Sequence, residues 1–259
     1  MGGRVRSVRL PPSRNASADR RSLGGGGQAA RGRGASLPAS FTRRERRLIA
    51  RLDTPRKVQT FLNELPYNEE PHGRATLRSF RGVVRSGCAH CLEAALFAAV
   101  VLEQHGYAPL VLSFESIDAL DHVIFVYRRG NRWGSIARSR DPGLHGRKPV
   151  FASPRALALS YFDPYVDFTG RITGYAVVNL ADEMGEYDWR LAPTNVWKVE
   201  RVLLDYPHRS IRSSDRRVDR LRAWYCDYRA RFGHKPVEYR GRDRWTPLPS
   251  EFNAPSPAR

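Results

Sequence analysis

Cys88, His90 and Cys91 bring three reactive side chains into four consecutive positions. The residues after them, 94–102, are uninterruptedly apolar and read as a buried helix that Gly106 closes, with the Cys91 thiol at its tip. A helix N-terminus carries unpaired N–H groups and a partial positive charge, which stabilise a thiolate and lower a cysteine's pKa. Asp121-His122-Val123-Ile124-Phe125-Val126-Tyr127 reads as a β-strand headed by a histidine, thirty-one residues beyond Cys91. A thiol on a core helix facing an imidazole on a core strand is an arrangement that transfers acyl groups.

Three chemistries compete for Cys88-Ala89-His90-Cys91. A zinc site would need a second ligand pair, and no matching Cys/His cluster occurs, so neither metal nor cofactor is expected. A thiol–disulfide enzyme also exposes a CxxC at a helix start, but a strand should run straight into the motif. Residues 78–86, Arg-Ser-Phe-Arg-Gly-Val-Val-Arg-Ser, make a poor strand. An acyl-transfer site needs only one of the two cysteines.

The elements that must position these groups follow from apolar spacing and punctuation. Residues 41–52 read as a charged helix, and Thr54-Pro55 restarts a second helix, with Thr54 as N-cap and Pro55 in the first turn. Val58, Phe61, Leu62 and Leu65 give that helix its apolar face, and Pro66 stops it. Residues 66–75 form a polar loop, and a short segment, 76–84, leads to the cysteine turn. Strands are expected at 108–114 and 122–128, with Gly130-Asn131 turning the second into 132–137. Residues 138–148 read as a loop rich in Gly, Pro and Arg. A helix at 154–161, a strand at 172–180 and a helix at 195–206 follow. The last helix is capped by Ser213 or Ser214 and ended by Gly233; its stripe of Val218, Leu221, Tyr225, Tyr228 and Phe232 reads as core packing.

Residues 1–40 hold eight arginines against a single acid, Asp19, with few apolar groups, and are expected to be disordered. The chain then divides into a core at 41–150 and an α/β extension at 151–259 packed on it. The net charge of +18 suggests nucleic acid, yet lysine occurs at only four positions and the other 40 basic residues are arginine. Codon bias in a GC-rich genome produces that skew without a ligand. The arginines are also dispersed among acids, which argues against nucleic acid as the main partner. No apolar run approaches the ~20 residues that a membrane-spanning helix needs. Neither a secretory leader nor a disulfide framework is evident among the three cysteines, so a reducing cytoplasm is expected.

Cys91, Ala95 four residues on and Gly106 fifteen on, followed by a strand, are similar to the helix block of the transglutaminase-like superfamily. This papain-like group includes transglutaminases, bacterial peptidases and peptide:N-glycanases. His122 at a strand head, then Trp133 after the Gly130-Asn131 hairpin, resembles its second block. Counted from Cys88 the same pattern falls out of register. The resemblance covers roughly residues 75–140. It implies an α+β fold in which a core helix carrying the cysteine packs on an antiparallel sheet carrying the histidine, with a helical C-terminal extension. By it, Cys91 is the nucleophile and His122 its base, and the substrate is a peptide, protein or small amide.

The family's third residue, an aspartate four after the tryptophan, is replaced here by Ala137. Ser139 and Asp141 stand in the next loop; Asp141 ranks first, because a carboxylate stabilises an imidazolium. His90, Glu93, Trp133 and Ser139 are candidates for lining the site. The resulting expectation is a cysteine hydrolase or acyltransferase, most of all a peptidase or amidase. The alternatives are a degenerate interaction module on the same fold and a CxxC oxidoreductase.

Overall fold

A computed structural model describes residues 40–70, 73–119 and 121–252. The disordered tail expected over 1–40 lies outside the described residues except for Ser40. Helix α1 (Arg43–Arg51) begins with a capping box: the Thr42 hydroxyl accepts from the Glu45 N–H at 3.2 Å, and the Glu45 carboxylate from the Thr42 N–H at 2.7 Å. Helix α2 (Pro55–Glu64) starts at Thr54-Pro55 as its residues dictate and turns Val58 and Leu62 into the core.

The segment before the cysteines, expected only as a short lead-in and a poor strand, takes a definite form. It forms helix α3 (Phe80–Ser86), capped by Ser79 and ended by Gly87 at φ 70°. A glycine takes that left-handed geometry without steric cost. The turn lets Ala89 bridge in parallel to Tyr67, with Ala89 N–H on the Pro66 carbonyl and Asn68 N–H on the Ala89 carbonyl. Helix α4 (Cys91–Glu103) follows, and every residue from Leu92 to Leu102 is buried. A helix apolar on all sides is stable only when surrounded.

Its surroundings are a six-stranded sheet. Strands β1 (Leu110–Ser116), β2 (His122–Arg129), β3 (Arg132–Ile136), β4 (Arg147–Phe151), β5 (Ile172–Asn179) and β6 (Arg209–Ser210) pair antiparallel in the order β4-β3-β2-β1-β5-β6. The architecture is α+β. Side chains alternate across a strand. Val123, Phe125 and Tyr127 therefore join the α4 core, while Ile124 and Val126 face a second cluster with α5 (Pro154–Leu159) and α6 (Phe162–Tyr165).

The boundary expected near residue 150 does not separate two cores. β5 is hydrogen-bonded along all of β1. Helices α7 (Leu180–Met184) and α8 (Trp197–Asp205) bury Leu180, Met184, Val199 and Leu203 in the α4 cluster. The 138–148 loop also differs, because it ends in β4, whose Arg147 is fully buried. Along the last helix, α9 (Asp215–Phe232), only Val218 and Tyr225 of the aromatic stripe are buried. Tyr228 stacks on Phe232 and His234 instead, toward the C-terminal segment. Among the described residues no helix is long and apolar enough to cross a membrane.

Candidate active site

Cys91 is the first residue of α4, half-buried, with its thiol free. What fixes the helix tip is Glu93, a carboxylate with no exposed surface. Its Oε1 accepts from the Arg78 N–H at 2.9 Å and the Thr76 hydroxyl at 3.0 Å. Its Oε2 accepts from Asn68 Nδ2 and the His90 N–H, both at 3.1 Å. The Arg78 guanidinium lies 3.5 Å away. Acidic groups belong in a helix's first turn, and this one ties the tip to Asn68 and to the stretch holding Thr76 and Arg78.

His122 reaches the tip from the sheet. Phe125 pairs with Ile136, so the residue opposite His122 would be Ser139, but β3 has ended by then. The sheet is open at that corner, and the His122 ring approaches the Cys91 sulfur there. The ring stacks on Phe114 at 6.2 Å, with Tyr161 at 6.4 Å. Its Nε2 lies 3.0 Å from the Leu144 carbonyl, which can only accept, so Nε2 carries a proton. Nδ1 is then the nitrogen at which a proton can be gained or lost.

A second imidazole touches the same sulfur. His90, the residue that caps α4, hydrogen-bonds Cys91 and donates from Nε2 to the Thr76 carbonyl at 2.8 Å. Burial alone would push the Cys91 thiol up. The hydrogen bonds from His122 and His90, and the charge of both rings, hold it well below the ordinary thiol range. Burial likewise opposes charge on His90, but the Cys91 thiolate and Glu93 raise it to about 9.

Tyr67 is a site residue that spacing arguments miss. The Cys91 N–H lies toward its phenol oxygen. Burial, followed by the negative charge of Cys91, pushes the phenol up, so its O–H stays on. The parallel bridge to Ala89 places this ring, and a bridge between two loops leaves no periodicity to read.

Of the residues named from sequence, Cys91, His122, His90 and Glu93 come together, and others do not. Asp141 is turned away: it pairs with Lys235, and the Leu144 carbonyl occupies the place proposed for it. Ser139 is buried, but it braces the loop: its hydroxyl accepts from the Asp141 N–H, and its carbonyl from His145. Trp133 pairs with Arg128, six residues along β2 from His122, which is about 20 Å at the rise of a strand. It packs at the hairpin end and does not line the site. Cys88 accepts from Arg78 Nη1 at 3.4 Å. Among the described residues no group of three or more His, Cys, Asp or Glu is placed to hold a metal ion. A surface cavity of about 530 Å³, lined by Arg44, Arg47, Phe61 and Phe97, includes neither Cys91 nor His122. No protein-family model matches the chain, and no curated protein matches it.

Proposed function

We propose that the protein is a cysteine hydrolase or acyltransferase with a transglutaminase-like, papain-like core, acting on an amide or thioester of a peptide, protein or small molecule. The Cys91 sulfur attacks the carbonyl carbon and forms a thioester. As the C–N or C–S bond of the substrate breaks, His122 delivers a proton from Nδ1 to the leaving group. Water, or an acceptor amine, then attacks the thioester while Nδ1 takes its proton, and the thiolate departs. The oxyanion of each tetrahedral intermediate meets the Tyr67 O–H at the helix tip, with the Cys91 N–H behind the phenol oxygen.

The observation that carries this reading is the approach of the His122 ring to the Cys91 sulfur, two side chains brought from a helix and a strand, close enough for the imidazole to hold the thiol below its ordinary range. The test is intact-mass detection of an acyl adduct after mixing with aryl ester and thioester probes. A single adduct on Cys91, absent in Cys91→Ala and slow to form or discharge in His122→Ala, is expected. An adduct that forms equally on Cys91→Ala overturns the assignment.

One observation favours a non-catalytic interaction module instead. Ala137 is fully buried and its N–H and C=O are both held by Gln59, at 3.0 and 2.9 Å, which leaves no place there for a carboxylate. That reading requires a folded Cys91→Ala protein to keep its cellular role, and loss of the role eliminates it.

A further inference from the structure

We propose that His90, backed by the buried carboxylate of Glu93, is the fixed counter-ion of the Cys91 thiolate, leaving His122 only the moving proton. The two rings that touch the sulfur have different surroundings. The polar groups facing His90 are mostly acceptors. Its Nε2 lies 2.8 Å from the Thr76 carbonyl, 3.7 Å from Glu93 Oε1 and 4.0 Å from Glu70 Oε1, with the Cys91 sulfur also in contact. The Arg78 guanidinium is directed to Glu93 at 3.5 Å. His122 has the Leu144 carbonyl, the sulfur and the rings of Phe114 and Tyr161, and no carboxylate pairs with it among the described residues. A carbonyl dipole orients a ring, but it does not offset a full charge as a carboxylate does.

Position reinforces the distinction. His90 is joined to Cys91 by one peptide bond, and its own N–H is held by Glu93 Oε2 at 3.1 Å. Its side chain is only 13% exposed, so it has little freedom to swing away. A group fixed in this way suits a standing charge better than a shuttle. The rise of its pKa to about 9, driven against burial by the thiolate and Glu93, agrees with that placement.

The division of labour makes chemical sense. His122 loses its proton to the leaving group and regains one from water in each turnover. With His90 charged throughout, the sulfur stays ionised whichever way the His122 proton stands. The family's carboxylate, missing behind His122, is thus replaced by a carboxylate behind the neighbouring imidazole. Glu93 is a positioning residue here, acting through His90.

The statement about His122 rests on the acyl-transfer reading, whereas the statement about His90 concerns the resting thiol alone. Alkylation by iodoacetamide separates them, because it needs a thiolate but no turnover. In a Cys88→Ser, Cys226→Ser background, the rate at Cys91 is measured from acid to alkaline pH. His122→Ala should keep its rate at about pH 6 within roughly tenfold of the alkaline rate. His90→Gln should fall about a hundredfold at the same pH, approaching a thiol of pKa about 8.5. His90→Asn, which retains a good helix cap, guards against a folding defect and should behave like His90→Gln. Glu93→Gln should shift the profile in the same direction, by less. Loss of low-pH reactivity in His122→Ala, whether alone or equally with His90→Gln, overturns the proposal. Failure of the acyl-transfer reading looks different: normal alkylation profiles with no acyl-enzyme.

Discussion

The His122 ring meets the backbone carbonyl of Leu144, at 3.0 Å from Nε2, where a carboxylate would ordinarily stand. The His122 ring is therefore oriented by a loop and not by a side chain. That loop is held from inside. The fully buried Arg147 donates to the carbonyls of His145 at 2.7 Å and Gly143 at 2.6 Å, on either side of Leu144. Its guanidinium is stacked between Tyr161 at 3.9 Å and Trp245 at 4.5 Å.

Arg147→Met should therefore damage both stability and chemistry. The carbonyls of Gly143, His145, Gly146 and Ser160 lose a donor and the cation–π stack disappears, a cost of about 2–4 kcal/mol. Urea unfolding should show that loss, and acylation should slow under native conditions because the Leu144 carbonyl is no longer fixed. A variant as stable as the parent, with unchanged acylation, would show that the loop holds itself.

Tyr67→Phe removes one O–H and little else. With the phenol at the Cys91 N–H, acyl-enzyme formation should slow by about a hundredfold, the usual effect of losing one oxyanion donor. Alkylation of Cys91 should change far less, since no oxyanion forms in that reaction. Equal slowing of both reactions would mean that Tyr67 acts on the thiolate instead.

Helix α4 was legible because side chains announced it: an apolar run, a cysteine at its head, a glycine at its end. β2 announced itself in the same way, through alternating apolar residues led by His122. Ser79 and Gly87 carried the signals for α3, but its Arg-rich, glycine-interrupted interior masked them. The partner of His122 was illegible in principle, because a backbone carbonyl has no residue type. Asp141 was the reasonable choice from charge alone, yet Lys235, distant in sequence, claims it. β4 escaped notice because a buried arginine with aromatic faces above and below reads, in sequence, as a solvated one.

Charge on His90 should also appear in stability. Its pKa is raised in the fold to about 9, so its contribution is fully present below the unfolded value near 6.5 and is lost as pH rises through about 9. The Cys91 contribution has the opposite sign: its pKa is lowered, so stability is present above the ordinary thiol value and lost as pH falls through the depressed one. The difference in unfolding midpoint between the parent and His90→Gln should be largest below about pH 6.5, as long as Cys91 remains ionised, and shrink away as pH rises through about 9. A difference that does not change with pH would assign His90 a packing role only.

The account depends on Cys91 being a thiolate at rest, and thiolate absorbance reads that state without a substrate or a reagent. The difference in far-ultraviolet absorbance between the parent and Cys91→Ser, followed through an acid-to-alkaline titration, should already be at its plateau at about pH 7, with its midpoint well below the ordinary 8.5. A single step centred near about 8.5 would contradict it.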